Sequence, residues 1–302
     1  GGFLPATPET VAKYLADHGG VLSINTLKLR LAGLAKWHID QGFPDPTKTP
    51  LVRQVFKGIQ AVHPTIERQA RPLHLAQLER VIEHLERLIV LAQNSEDSND
   101  ALRHTRDKAF LLMGFWRGFR GDELRKLKIE HVNVVGERWL ECYLPQSKGD
   151  RQLQGVHFKI PALARLCPVS AYSNWILLAQ LREGPIFRKI DRWGTVSQNG
   201  LSKNSVGPLL RKVFGQAGLE MAAEFSGHSL RRGFAMWAND NGWDLKTLMN
   251  YVGWKDVNSA MRYIDGNDPF AGHRKVEAID NDALNTYSKG PESTVKPMLA
   301  ID

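Results

Sequence analysis

Gly227-His228-Ser229-Leu230-Arg231 marks the start of a helix that carries a basic pair. His228 and Arg231 are three residues apart, so on a helix they share a face one turn apart. A helix N-terminus attracts anions through its free N–H groups and its dipole, and an imidazole beside a guanidinium there would make a strong phosphate seat. The same spacing also fits a capping histidine beside an exposed arginine. What the rest of the chain brings to this helix decides between the two.

Upstream, Gly118-Phe119-Arg120-Gly121-Asp122-Glu123-Leu124 places an arginine in the break between two helices. The first is very apolar, with Phe110, Leu111, Leu112, Met113, Phe115 and Trp116, and the second starts at about Asp122. Glycine on both sides of Arg120 lets the backbone turn sharply and leaves room for a bulky anion. Glu123 is placed to hold the guanidinium by a charge-assisted bond. A surface arginine in a polar turn is the plainer reading. Arginine suits the other, because its planar fork grips phosphate at two points and stays charged at any working pH.

Between these motifs, residues 130–160 change character. The runs 139–144 and 156–160 show period-2 features, with Ser147-Lys148-Gly149-Asp150 as the turn of a small β-hairpin or sheet. Downstream, a helical run over 245–252 leads into Gly253-Trp254, and Asp256 caps a short helix carrying Met261, Arg262, Tyr263 and Ile264. A tyrosine at such a place, taken alone, is half-buried packing.

The first 65 or so residues read as helical throughout. Thr7-Pro8, Ser23 and Thr49-Pro50 are helix starts, with apolar faces at Val11, Tyr14 and Leu15, then Leu27, Leu31, Leu34 and Ala35, then Val52, Val55, Phe56 and Ile59. Helices this short need one another, so they form a small bundle. Its outward faces carry Lys28, Arg30, Lys36, Arg53 and Lys57, each of which alone reads as solvated surface. Residues 1–72 together hold nine Lys or Arg against five Asp or Glu, which reads as a phosphate-facing surface. We expect a bundle over 1–67, a linker over 68–72 bearing Arg68 and Arg71, a second domain over 73–287, and a mobile tail over 288–302. In the second domain a stripe of Leu75, Leu78, Val81, Ile82, Leu85 and Ile89 precedes a polar loop over 94–100. Helical pattern resumes from Ala171, with an interruption near 194–200.

The 302 residues suffice for two domains, and 42% are hydrophobic, as in a soluble globular protein. No apolar run is long enough to cross a bilayer, which argues against a membrane partner. Cys142 and Cys167 offer no disulfide framework and suit a reducing cytoplasm. The opening Gly1-Gly2, without Met, reads as a processed or engineered start. A net charge of +8 and a pI near 9.5 favour a polyanionic partner such as nucleic acid. No metal-ligand cluster and no GxxxxGK[ST] loop is present, so no cofactor is expected.

The order of the pieces carries more than any one of them. Arginine in GxRxxEL, lysine in a hairpin turn, HxxR, Gly-Trp and then tyrosine resembles the tyrosine recombinase (phage integrase) family. Phe225-Ser226-Gly227-His228-Ser229, Gly253-Trp254-Lys255-Asp256-Val257-Asn258, and Thr26-Leu27 followed by Trp37-His38 resemble its Cre-like branch. Trp254 stands where many integrases carry His, and the Ser-Lys-Gly-Asp turn departs from the family's usual Thr-Lys-Thr type, leaving Lys159 as the competitor of Lys148.

The resemblance implies a mainly α protein: a helical core-binding domain, and a mixed α/β catalytic domain with a small antiparallel sheet, together a C-shaped clamp on double-stranded DNA. It implies that Tyr263 attacks the scissile phosphodiester to give a 3′-phosphotyrosyl link. His228 would accept the tyrosine proton, Arg120, Arg231 and Trp254 would hold the phosphate, Lys148 would protonate the leaving 5′ oxygen, and Glu123 would orient these groups. It further implies a homotetramer on two specific recombination sites, passing through a Holliday junction. A C-terminal helix with Phe270, Val276, Ile279 and Leu284 would dock on a neighbour, unless it packs on its own subunit. Thr26, Lys28 and Arg30 would enter a major groove, while Lys203, Asn204, Arg211 and Arg232 would lie on the catalytic domain's DNA face. The rival readings are a type IB topoisomerase and a non-catalytic DNA-binding accessory protein. Tyr251 and Tyr287 are the other candidate nucleophiles.

Overall fold

The computed structural model describes residues 4–64, 69–95, 98–136, 138–145 and 154–264. The chain divides into two compact units, Gly1–Gln69 and Ala70–Asp302, each with its own apolar core.

In the first unit α1 (Pro8–His18), α2 (Ile24–Asp40) and α3 (Pro50–Val62) begin at the expected caps. The Thr7 hydroxyl accepts the N–H of Thr10 and the Ser23 hydroxyl that of Thr26, satisfying donors that the first helical turn leaves open. Val11, Leu15, Leu27, Val52 and Ile59 are buried together, with Leu31, Leu34, Val55 and Phe56 packed around them. His38 is buried with both ring nitrogens engaged: Nε2 accepts the Ala6 N–H at 2.9 Å and Nδ1 meets the Leu34 carbonyl at 2.8 Å.

The second unit is organised around α5 (Ser98–Arg117). Phe110, Leu111, Leu112, Met113 and Phe115 point in different directions, yet all are fully buried, as a central helix requires. It packs against α4 (Leu75–Asn94), α7 (Pro168–Leu178), α9 (Gly227–Asp240) and the sheet. That sheet is antiparallel, in the order β1 (Val132–Val135), β2 (Trp139–Leu144), β3 (Val156–Pro161), with Cys142 opposite Phe158 and Glu141 opposite Lys159. Its period-2 alternation turns Leu140, Cys142, Leu144, Phe158 and Ile160 inward. The rest of the described unit comprises α6 (Gly121–Lys126), β4 (Arg188–Ile190), β5 (Val196–Gly200), α8 (Val206–Gln216), α10 (Leu245–Val252) and α11 (Val257–Ile264).

Two expectations are corrected. The interruption near 194–200 is a strand, since β4 and β5 pair into a second antiparallel sheet with an irregular register. The polar loop after α4 is shorter than expected, because Ser98, Asn99 and Asp100 already belong to α5, where Asp100 complements the helix dipole. The hairpin turn with Lys148, the linker residue Arg68, the trailing helix with Phe270, Val276, Ile279 and Leu284, Tyr287, and the tail over 288–302 lie outside the described residues. Among the described residues no helix is long and apolar enough to cross a membrane.

Candidate active site

The site is assembled where three chain reversals meet. After α5, Gly118 turns the chain at φ +61°, and Arg120 then caps α6 with extended backbone. The Glu123 carboxylate accepts the Arg120 backbone N–H at 3.0 Å and its guanidinium at 2.6 Å. Its second oxygen lies 3.9 Å from Nη1 of Arg231. One buried carboxylate thus stands between two arginines, fixing the orientation of Arg120 as charge-assisted bonds do.

Helix α9 supplies Arg231 and His228. Ser226 caps it: the hydroxyl accepts the His228 N–H at 3.3 Å, and the Ser226 N–H donates to the Ser229 hydroxyl at 2.9 Å. His228 remains exposed in the first turn. Arg231, one turn further in, is 1% exposed and donates from Nη1 to the Gly118 carbonyl at 2.8 Å. The turn after α5 and the interior of α9 are therefore locked together by the same guanidinium that faces the site.

The third reversal ends α10. Gly253 at φ +75° lets both its own N–H and that of Trp254 return to the Met249 carbonyl, at 2.8 and 2.9 Å. Trp254 is thereby carried inward, 6% exposed, with its ring centre 4.9 Å from the Arg231 guanidinium carbon. A cavity of about 300 Å³ opens between these elements, lined by Arg117, Arg120, Glu123, Arg231, Trp254 and Lys255 among others. A neighbouring cavity of about 440 Å³ shares Arg120 and Glu123 and adds His228 and Lys203. Planar guanidiniums converging in one cleft are suited to a tetrahedral oxyanion and to charge that grows on its oxygens.

Tyr263 is the penultimate residue of α11, which packs against α9 and α10; its side chain lies outside the described set. Tyr251 is engaged elsewhere: its hydroxyl donates to the Trp116 carbonyl at 2.8 Å, its ring stacks on Phe234, and burial raises its pKa. Lys159 pairs with Glu141 at 3.4 Å and sits over the Trp139 ring. On β3 it faces the opposite way from Phe158, which lines the cavity.

The remaining basic residues are distributed over both units. Lys28, Arg30, Lys36, Arg53 and Lys57 are exposed on the first. Arg30 donates to the Tyr14 hydroxyl, Lys36 pairs with Asp40 at 2.7 Å, and Thr26 is tied to the Ser23 cap. In the second unit Arg71, just before α4, lies 3.7 Å from Glu224 and over the ring of Phe225, two residues of the segment leading into α9. Lys203 and Asn204 are exposed on a 3-10 turn before α8, Arg211 is exposed on that helix, and Arg232 is half-buried beside Arg231. Arg117 and Lys255 also line the first cavity, and neither was singled out from the sequence. The signal for Arg117 was a charge ending an otherwise apolar run.

Residues 77–269 match the phage integrase family. Over 272 residues the chain is 32% identical to the integrase/recombinase xerD homolog of Selenomonas ruminantium, spanning 88% of this chain and 76% of that protein. Over 284 residues it is 24% identical to the recombinase cre of Escherichia phage P1, spanning 89% and 79%. Its fold is similar to that of the XerH site-specific recombinase bound to palindromic difH substrate in a post-cleavage complex. The TM-score is 0.57 at 17% identity, covering 94% of this chain and 73% of that one. The family match spans well over half of the chain and the xerD homolog is alike over most of both proteins, so this chain belongs to the phage integrase family, the tyrosine site-specific recombinases.

Proposed function

We propose that this protein cuts and rejoins DNA at a specific site through a 3′-phosphotyrosyl intermediate on Tyr263. The observation that carries the reading is the convergence of Arg120, Glu123, Arg231 and Trp254 on one cavity. The recombinase names of its relatives, and the DNA-bound state of XerH, give the substrate class. Tyr263 attacks phosphorus and passes its proton to His228, while the 5′ oxygen leaves with a proton from Lys148. Negative charge on the non-bridging oxygens is held by Arg120 and Arg231, with the Trp254 indole N–H as a further donor. One phosphodiester replaces another, so the bond energy is kept for rejoining. Four copies on two sites would exchange strands in pairs through a Holliday junction.

The test is covalent trapping on nicked duplexes from a randomised pool. The wild-type protein should yield a protein–DNA adduct whose sequence identifies the site, and Tyr263→Phe should bind the same duplex without forming the adduct. An unchanged adduct yield in Tyr263→Phe would overturn the assignment.

A further inference from the structure

Arg117 is the last residue of α5 and takes no part in the roles above. It is 6% exposed and lines the same cavity as Arg120, Arg231 and Trp254. Its guanidinium carbon lies 4.3 Å from the centre of the Phe158 ring and 4.5 Å from that of Tyr251, so two aromatic faces flank it. Among the described residues no carboxylate lies within ion-pair distance of it; Glu123, engaged by Arg120 and Arg231, attracts it only from further away. Its Nε is buried with no hydrogen-bond partner among those residues.

Removing a guanidinium from water is costly unless an anion compensates it. The two rings and the C-terminal carbonyls of α5 ease that cost without cancelling the charge. A side chain needed only to fill the slot between Phe158 and Tyr251 would be neutral, because a thioether or alkyl chain packs there without desolvating a cation. Burial lowers the Arg117 pKa to about 10, which leaves it protonated at neutral pH. Counting Lys255, four cations face this cavity against the single carboxylate of Glu123.

We propose that Arg117 is a third arginine of the anion seat, a positioning residue. Together with Arg120 and Arg231 its field draws a phosphodiester into the cavity and stabilises charge growing on the non-bridging oxygens. This rests on the strand-cleavage reading for its substrate, and it adds a residue to which that reading gives no role.

Two variants separate charge from packing: Arg117→Met keeps the volume and Arg117→Lys keeps the charge. Titration of the whole protein with inorganic phosphate, followed by 31P line broadening, should show binding about fivefold weaker in Arg117→Met and near wild type in Arg117→Lys. Single-turnover adduct formation on the trapped nicked duplex should slow about tenfold or more in Arg117→Met. A buried lysine deprotonates below its ordinary pKa. The rate of Arg117→Lys relative to wild type should therefore fall between pH 7 and pH 9.5. Equal phosphate binding in wild type and Arg117→Met, or a flat Arg117→Lys ratio across that range, overturns the proposal. If Arg117→Met does not fold, the Arg117→Lys profile decides. A wild-type protein that forms no adduct sinks the cleavage reading instead and leaves the phosphate titration to judge Arg117.

Discussion

Gly121 and Gly227 meet backbone to backbone: a Cβ built on Gly227 would lie 3.3 Å from the Cα of Gly121, and one built on Gly121 would lie 3.4 Å from the Cα of Gly227. This contact joins the first turns of α6 and α9, the two helices whose leading residues are Arg120 and His228. A methyl group on Gly227 would sit tighter against the Gly121 Cα than ordinary van der Waals contact allows, so one of the two helix ends must give by a few tenths of an ångström.

Gly227→Ala should therefore cost about 1 kcal/mol of stability, as mild overpacking does, and slow adduct formation by about tenfold or more through misplacement of Arg120 against His228. Gly33→Ala is the control, because Gly33 sits within α2 with open space around its Cα. There the substitution should stabilise by about 0.5–1 kcal/mol with no change in cleavage. Chemical denaturation and single-turnover kinetics read both. Wild-type cleavage by Gly227→Ala would show that the approach of the two helices does not position the site.

Arg231 holds the Gly118 carbonyl as well as facing the cavity. Arg231→Ala should lose about 3 kcal/mol, because it strands a buried carbonyl and leaves Glu123 with one cation in place of two. It should also reduce adduct formation by about a hundredfold or more. Arg231→Lys should recover part of the stability and little of the rate, since an ammonium lacks the planar fork. Full recovery of cleavage by lysine would mean that Arg231 acts as a point charge.

The helices, their caps and the paired runs of the first sheet were legible because each rests on local chemistry. Thr7 and Ser23 cap, and Pro50 starts α3, without regard to tertiary context, and the apolar stripe of α3 faces inward wherever the helix packs. The HxxR spacing was legible too, but not that Arg231 is buried while His228 is exposed. That difference arises from Gly118 and Trp254 closing over the second turn of α9, a contact between segments far apart in sequence. The β4–β5 pair escaped notice because Val196–Gly200 is mostly polar, and its pairing depends on where Arg188 is held. Arg117 escaped for the same reason, since its burial is created by Phe158 and Tyr251 from β3 and α10.

Two histidines should make the second unit sensitive to mild acid. Burial, then repulsion from Arg87, holds His84 below the ordinary imidazole value of 6.5. Burial also holds His104 below it, with His84 and Lys212 adding to the effect and Asp107 and Asp100 opposing it. Both imidazoles bind fewer protons folded than unfolded, so their contribution is intact above about pH 6.5 and is lost as the pH falls towards their folded values. The melting temperature should drop between pH 7.5 and pH 5.5. It should drop less in His84→Gln/His104→Gln. Equal slopes for the double variant and wild type would assign the acid sensitivity elsewhere.

The two cysteines differ in their access to solvent, and Cys142 reports on the floor of the site. Cys142 is 1% exposed and lies opposite Phe158, the ring under Arg117; burial, opposed by Arg117, pushes its thiol up to about 12. Cys167 caps α7. Burial alone would raise its pKa, but hydrogen bonds from Ser170, Leu163 and Val169 outweigh that and lower it. Thiolate is the reactive form, so iodoacetamide at pH 8 should label Cys167 to one equivalent and leave Cys142 untouched in the folded protein. Cys142 should become reactive only when denaturant opens the unit, at the same midpoint as loss of phosphate binding. Rapid labelling of both cysteines without denaturant would mean that the wall behind Arg117 opens in the native state.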